Sequence, residues 1–379
     1  MAWYPTLMNN TEPASEYKTM TVLLNLNTSD PTQWAVYDDD AMFMEAGSDE
    51  WDEFFGHYPC ILENGVELGK LNRDNFAQYE DGTTAPITTL GKDVMICFPR
   101  RGIKIEYLDA DTLSVSMTNE DNKEGYSYMA HSYKGNPLDK FYLGAYKGYV
   151  SWGSLYSTSG VAPAINTTIE NFRTFAQTRG TGYEQSGFFQ LTFRQVMYLL
   201  KYKGQNAQIA IGRGFVDGNS AAHATGGTNT RGMDWGESTG QDQMKLFGLE
   251  DFYGNVYEFI DGLYSDANRK LYVADGNFND TGTNYTDANT STFSSNVSGY
   301  LRYPVGTNLA GFNGGSQTYG DASTYFCDYT IVGASHLAYF GGFWNDGDYA
   351  GVFRLDVNRT ASFSSANYGA RLMYMHVAE

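Results

Sequence analysis

The chain has 379 residues, of which 42% are hydrophobic and 18% are charged, which is enough apolar material for a sizeable core and predicts two or more domains. Its 44 acidic residues outnumber 25 basic ones, and the net charge of −19 argues against nucleic acid and anionic lipid surfaces as partners, because both would be repelled. The three cysteines, Cys60, Cys97 and Cys327, contain no CxxC pair, which argues against a disulfide framework and a zinc site and predicts buried free thiols.

Tyrosine, phenylalanine and glycine are abundant, with 30, 23 and 42 residues, which is typical of a β-rich protein with many loops. Tyrosine suits binding surfaces because it offers a large amphipathic contact area at small entropic cost, although cross-strand packing in ordinary sheets accounts for most such residues. No stretch approaches the roughly 20 apolar residues of a membrane span, and the N-terminus does not read as a signal peptide. We therefore expect no membrane insertion and no secretory export.

Residues 1–135 predict a β-rich module for attachment or oligomerisation. Strands are expected at Lys18–Leu26 and Val94–Phe98, and again at Gly102–Tyr107 and Thr112–Met117, where apolar and polar residues alternate with period two.

From residue 136 the pattern changes to a mixture of strands and helices. An aromatic strand is predicted at Phe141–Tyr146. A first helix is expected over Thr167–Ala176, with Thr167 as N-cap and Glu170 completing a capping box, and a second over Leu191–Leu200 with Thr192 as cap. The Gly, Asn, Thr and Ser-rich residues from Asp275 to Ser298 predict a long surface loop.

Three blocks in fixed order carry a resemblance to a known scaffold. They are Phe141–Tyr146, the motif GLEDFYGNVYEF at Gly248–Phe259, and Gly341-Gly342-Phe343-Trp344-Asn345 followed by Gly369-Ala370-Arg371-Leu372. Together they resemble the C-type-lectin-like fold of the formylglycine-generating (sulfatase-modifying) enzymes over residues 138–376. The resemblance implies an α+β protein in which the β-rich module 1–135 precedes a C-type-lectin-like domain of this type at 136–379, with Trp344 as a core aromatic.

The resemblance extends to the fold and not to the catalytic activity. The enzymes of this family carry active-site cysteines in their closing segment, whereas no cysteine lies between Gly341 and Leu372. The resemblance also allows a calcium ion held by Asn255 and Glu258. The alternative is that both side chains hydrogen-bond loop backbone, and in either case no cofactor is required.

The closing segment also resembles the variable regions of proteins diversified by retroelements, of which phage tail-fibre tropism determinants are examples. In that family an adenine-rich template is copied with errors at adenine. Changing the adenines of an Asn codon never produces Lys, Glu, Gln, Met or Trp, and from Thr318 to Leu372 the only one of these present is Trp344. A loop-rich β segment that happens to avoid long polar side chains is the alternative.

Within the variable region, at about residues 336–372, small and apolar residues predict a fixed scaffold, and mixed aromatic, polar and charged residues predict a display surface. Around Arg354-Leu355-Asp356-Val357-Asn358 the two kinds alternate as in a half-buried strand. His336, Leu337 and Phe340 are left open between surface and core. The predicted ligand-binding display residues are Tyr339, Phe343, Asn345, Asp346, Asp348, Tyr349, Arg354, Asp356, Asn358, Arg359, Phe363, Ser365, Asn367 and Tyr368.

These features predict a receptor-binding protein that is not an enzyme. The expected place of action is a phage tail or another extracellular position, and the expected partners are a bacterial surface protein or glycan, phage tail components, and further copies of the chain in a homo-oligomer, with a trimer favoured. The alternatives are an oxidoreductase of the formylglycine-generating type and a structural tail appendage without a ligand.

Overall fold

A computed structural model describes residues 18–31, 37–218, 221–288, 293, 295–304, 315–318 and 320–376. The protein is α+β and mostly sheet, as predicted. Its helices are α1 (Glu50–Phe55), α2 (Ile169–Gln177), α3 (Phe188–Tyr202) and α4 (Ala207–Ala210), with short 3-10 helices at Asp40–Phe43, Met129–His131 and Gly347–Tyr349.

The strands in chain order are β1 (Thr19–Asn25), β2 (Tyr37–Asp39), β3 (Tyr58–Glu63), β4 (Val66–Lys70), β5 (Asp93–Pro99), β6 (Gly102–Tyr107), β7 (Thr112–Thr118), β8 (Ser132–Tyr133), β9 (Asn136–Pro137), β10 (Lys140–Gly144), β11 (Tyr149–Ser151), β12 (Ser154–Tyr156), β13 (Tyr183–Gln185), β14 (Lys245–Leu246), β15 (Leu249–Glu250), β16 (Tyr257–Ser265), β17 (Leu271–Val273), β18 (Thr286–Asp287), β19 (Val297–Pro304), β20 (Gly315–Thr318), β21 (Tyr329–Val332), β22 (His336–Phe340), β23 (Leu355–Arg359), β24 (Tyr368–Gly369) and β25 (Leu372–Met375).

The first sheet has the order β2-β1-β7-β6 and contains strands expected from period-two alternation. β1 and β7 pair antiparallel, with Val22 opposite Val115, and both side chains are buried. The alternation predicts these strands well because apolar side chains such as Val22 and Val115 pack in the core, whereas small polar side chains such as Ser116 lie on the opposite face.

A second sheet, with the order β13-β25-β10-β5-β3-β4, joins strands from both sides of residue 135. β5 pairs with β10, placing Cys97 opposite Tyr142, and β10 pairs in turn with β25 near the C-terminus. The domain boundary at 135/136 stays a prediction, and strands of both expected parts share this sheet.

The helices correct two predicted caps. Helix α2 begins one residue later than expected, and its N-cap is Thr168, whose hydroxyl accepts a hydrogen bond from the backbone N of Asn171. Helix α3 already begins at Phe188, so Thr192 lies inside it and is buried instead of capping it. The apolar run before Thr192 extends the helix because those residues pack into the core.

The sheet that carries the variable region has the order β18-β17-β16-β22-β23-β21-β19-β20, with β24 paired to β16. Apolar clusters cover it on both sides. One contains Ala338, Leu355 and Val357 together with α3, and the other contains Tyr339 and Tyr257. The expected loop from Asp275 to Ser298 holds the short strand β18 and the start of β19, and residues 289–292 and 294 lie outside the described residues.

Within the described residues, no helix is both long enough and apolar enough to cross a membrane.

Candidate functional site: the display face

The candidate site is built on three neighbouring strands. β22 pairs antiparallel with β23, which places Tyr339 opposite Asp356, and β16 pairs with β22, which places Phe259 opposite Tyr339. Residues directly opposite each other in neighbouring strands point to the same side of a sheet. We call this side, with the loops 341–354 and 359–368 that continue it, the display face.

Two consecutive glycines shape the chain where it leaves β22 for the loop. Gly341 and Gly342 have φ angles of 94° and 92°, in the left-handed region that favours glycine. A Cβ atom on Gly342 would lie 2.6 Å from the Cβ of Ala350, so any side chain there would collide with the returning loop. This part of the predicted scaffold is therefore fixed by its backbone.

An aromatic cluster forms the floor of the display face, and Tyr257 of β16 lies at its centre. The Tyr257 ring centroid is 4.8 Å from that of Tyr339, 4.8 Å from that of Tyr368 and 5.4 Å from that of Phe343. Tyr257 itself is only 4% exposed. Three predicted display residues from separate parts of the variable region are thus joined by one residue outside it.

A buried charge network adjoins this aromatic floor. The Arg354 guanidinium donates to Asp356 at 3.0 Å and to the Tyr257 hydroxyl at 2.7 Å, and the Tyr257 hydroxyl donates in turn to Asp346. Burial lowers the pKa of Arg354, but the carboxylate of Asp356 and further neighbours outweigh this effect and raise it. Burial raises the pKa of Asp356 to about 6. Near neutral pH both partners are therefore charged, and they hold the loop against the sheet.

One nitrogen of the Arg354 guanidinium remains available as a hydrogen-bond donor. Its Nη1 atom is buried and has no hydrogen-bond partner among the described residues. Buried polar groups are normally satisfied, so this donor is suited to an oxygen from water or from a ligand.

A second cation, Arg359, closes the other end of the display face. Its Nε atom donates to the Tyr368 hydroxyl at 3.1 Å, and its guanidinium lies 4.5 Å from the centre of the Phe363 ring. The Tyr339 hydroxyl donates to Asn358 at 2.6 Å. These contacts make the side chains of β22, β23 and the following loop one continuous cluster.

Exposure divides the predicted display residues into two groups. Exposed or half-buried are Phe343, Asn345, Asp346, Asp348, Tyr349, Asn358, Arg359, Phe363, Ser365 and Asn367, whereas Tyr339, Arg354, Asp356 and Tyr368 are buried. The alternation along β23 does separate two sides of the sheet, as predicted. The expectation that every display residue faces solvent is wrong for the buried group, because Tyr257 and its aromatic neighbours cover that side.

The open assignments near the hairpin are also resolved. Leu337 and Phe340 are buried and belong to the core, and His336 is half-buried. Trp344 was expected in the core but is only half-buried. Its backbone N donates to Asn255 O at 2.9 Å, and its backbone O accepts from Gly218 N at 2.7 Å, so main-chain hydrogen bonds hold this position.

Aromatic residues outside the variable region extend the display face. Tyr300 of β19 and Tyr329 of β21 pack against exposed Tyr349, with ring centroids 5.6 and 4.6 Å away, and the Arg354 guanidinium lies 5.3 Å from the Tyr329 ring. These residues and Tyr257 were not predicted from the sequence. The place of Tyr257 in the Gly248–Phe259 motif was the one sequence feature that could have indicated its role. Tyr300 and Tyr329 have no such local feature, because strand pairing alone brings them to the display face.

The two residues considered for calcium have other partners. The Asn255 side chain bonds the backbone N and O of His223 at 2.8 and 3.1 Å, which confirms the alternative of loop-backbone bonding for this residue. Glu258 instead forms ion pairs with three buried cations, Lys147, Arg194 and Arg371. The described residues contain no group of three or more His, Cys, Asp or Glu side chains arranged to hold a metal ion, and a calcium ion stays a prediction.

The cysteines are free and buried, as predicted. Burial raises the pKa of Cys97 to about 11 and also raises the pKa values of Cys60 and Cys327. A raised thiol pKa disfavours the thiolate, which is the reactive form.

No protein-family model matches the sequence, and no curated protein matches it. Among solved structures, the chain is similar to PvdO from Pseudomonas aeruginosa at 12% identity and a TM-score of 0.31, covering 77% of this chain and 99% of that chain. It is similar to the Major Tropism Determinant U1 variant at 12% identity and a TM-score of 0.29, covering 87% and 73%. It is also similar to Treponema denticola variable protein 1 at 12% identity and a TM-score of 0.29, covering 76% and 97%. Similarity at this level assigns neither a family nor a function to the chain.

Proposed function

We propose that the chain is a retroelement-diversified receptor-binding protein, in which a C-type-lectin-like scaffold of the formylglycine-generating-enzyme type carries the display face as its ligand-binding surface. The observation that carries the proposal is the continuity of the face. Residues predicted from the sequence to vary meet in one cluster on one side of the sheet, while intervening apolar residues such as Leu355 and Val357 lie in the core on the other side.

The chemistry of the face suits a macromolecular ligand. Half-buried Phe343 and Phe363 and exposed Tyr349 supply apolar contact area, Arg359 offers a planar cation, and Asn345 offers an adaptable amide. Buried Tyr339, Arg354, Asp356 and Tyr368 form the floor that holds these side chains in place. A floor ordered before binding lowers the entropic cost of the contact.

The proposal treats the chain as a binding protein and not as an oxidoreductase. Thiol chemistry needs an accessible thiolate, but the cysteines are buried, their pKa values are raised, and none lies between Gly341 and Leu372. A purely structural role is not favoured. It would not explain why aromatic and charged side chains are mixed on an open face.

We further propose a position on a phage tail, with a bacterial surface protein or glycan as receptor. This step follows the resemblance of the variable region, as does a homotrimer, in which several weak sites would act together. In this proposal residues 1–135 provide attachment to tail components or to further copies of the chain.

Binding of the labelled full-length chain to a panel of intact bacterial species, measured by flow cytometry, tests the proposal. The display-face variant combines Tyr349→Ala, Arg359→Ala and Phe363→Ala. We expect it to weaken binding at least about 100-fold, because three truncated anchor residues at about 1–2 kcal/mol each cost about 3–6 kcal/mol together.

The matched control combines Val66→Ala, Leu68→Ala and Leu90→Ala, which are exposed apolar residues outside the display face. The control variant should bind like the parent chain. Equal binding by the display-face variant, or no binding to any species by the parent chain, counts against the proposal.

A further inference from the structure

A cavity of about 800 Å³ lies beside the display face. Its lining comes from the segment 206–213, from Gly236 and Ser238, and from residues 321–323 and Cys327; Asp348 is its one lining residue within the variable region. The volume falls within the roughly 300–1,000 Å³ typical of small-molecule sites. The cavity therefore has the size of a ligand site built almost entirely from residues outside the variable region.

Direct contacts tie the cavity wall to the 3-10 turn Gly347–Tyr349 of the display face. The Gln208 amide donates to Gly347 O at 3.0 Å and to Ala350 O at 2.8 Å. Arg213 forms an ion pair with Asp348 at 2.6 Å. A ligand that fills the cavity would therefore lie next to any ligand held on the display face.

The lining combines a small aliphatic surface with polar groups. Ile209, which is 71% exposed, lies there with Ala210 and Ala322, while Ser238 and Ser323 supply hydroxyls. Aliphatic groups can cover the C–H face of a sugar ring, and hydroxyls and amides can exchange hydrogen bonds with its hydroxyl groups.

The described lining residues offer no uncompensated cation to an anionic ligand. Arg213 is held by Asp217 at 2.8 Å as well as by Asp348, so its charge is compensated before any anionic ligand arrives. The Asp321 carboxylate accepts hydrogen bonds from the backbone N and hydroxyl of Ser323 at 2.9 and 2.7 Å. An anionic ligand therefore gains no strong new ion pair here and meets the Asp321 carboxylate, whereas a neutral, polyhydroxylated ligand can donate hydrogen bonds to that carboxylate.

We propose that this cavity binds a neutral sugar unit and gives the protein a constant glycan contact beside its variable one. The assignment of the sugar to a bacterial surface rests on the proposed function. The inference of a neutral sugar ligand rests only on the size and chemistry of the cavity. In this arrangement the display face selects among receptors while the cavity recognises a sugar unit that they share.

The test is saturation-transfer NMR of the full-length chain with neutral methyl glycosides of glucose, galactose, mannose and N-acetylglucosamine, and with sialic acid as the anionic comparison. We expect at least one neutral glycoside to bind, with a Kd on the order of 1 mM, and sialic acid not to bind. Ser238→Trp places a large ring at an exposed lining position and should weaken binding at least about tenfold. Glu237→Trp, at the neighbouring exposed position outside the lining, should change it less than about twofold.

The proposal is overturned if no neutral glycoside binds to the folded chain, if sialic acid binds as well as the best neutral sugar, or if Ser238→Trp binds like Glu237→Trp. Its failure is distinguishable from failure of the proposed function. Loss of cell binding in the display-face variant with no glycoside binding to the parent chain rejects the cavity alone. Glycoside binding that depends on Ser238, without any display-face effect on cells, rejects the proposed function and keeps the cavity.

Discussion

Replacing Tyr257 with phenylalanine isolates the contribution of one hydroxyl to the floor of the display face. The ring, and with it the contacts to Tyr339 and Tyr368, is retained in Tyr257→Phe. What is lost is the hydrogen bond from Arg354 at 2.7 Å and the one donated to Asp346. Hydrogen bonds to charged groups contribute about 1.5–3 kcal/mol each, and Asp346 keeps its ion pair with Arg354 at 3.6 Å when the hydroxyl is removed. We therefore expect a loss of about 3 kcal/mol in the free energy of unfolding.

Denaturant unfolding followed by tryptophan fluorescence measures this loss. Tyr368→Phe is the matched control, because it removes a hydroxyl that accepts a hydrogen bond from half-buried Arg359 and has no carboxylate partner among the described residues, and it should cost about 1 kcal/mol. The reasoning is refuted if Tyr257→Phe unfolds within about 0.5 kcal/mol of the parent chain, or if both variants lose the same amount.

Further predictions concern the scaffold. Glu258→Gln leaves buried cations without a counter-charge and should cost about 3–5 kcal/mol or abolish soluble expression, whereas Glu106→Gln, in an exposed ion pair, should cost less than about 1 kcal/mol; equal effects in unfolding experiments would contradict this. Burial, and then the charge of Glu250, raise the pKa of Asp251 from 3.8 to about 7, so the folded state binds a proton that the unfolded chain releases. Asp251 alone therefore lowers stability as pH rises from about 4 to 7, by up to about 1.4 kcal/mol per pH unit, while burial lowers the pKa values of His57 and His131 to about 3 and gives these two groups the opposite dependence. Asp251→Asn should remove the Asp251 contribution, so that stability rises more steeply, or falls less steeply, with pH than in the parent chain; an identical slope would refute the assignment. Gly342→Ala should cost at least about 2 kcal/mol, measured by thermal unfolding, and a neutral effect would contradict a fixed loop path.

Elements that are defined by the pattern of neighbouring residues were predicted correctly. β6 has the predicted bounds Gly102–Tyr107 because alternation and the turn before Thr112 define both of its ends. Both ends of this strand are set by a few neighbouring residues.

The missed features depend on contacts distant in sequence. Arg354 and Asp356 alternate with apolar neighbours and therefore predicted a solvent-facing side of β23. Tyr257, far earlier in the chain, lies over that side and buries them. Strand pairing of β5 with β10 across residue 135 is equally invisible to local pattern, because no single segment records its partner.

The central claim is that side chains of the display face vary while the backbone beneath them stays constant. Sequencing codons 336–372 of this gene in many independent isolates tests it most directly. Substitutions should concentrate at display residues such as Asn345, Tyr349 and Phe363, stay within the amino acids reachable from Asn codons by changes at adenine, and spare Gly341 and Leu355. Substitutions spread evenly over face and core, or the appearance of Lys, Glu, Gln or Met at the display residues, would contradict it.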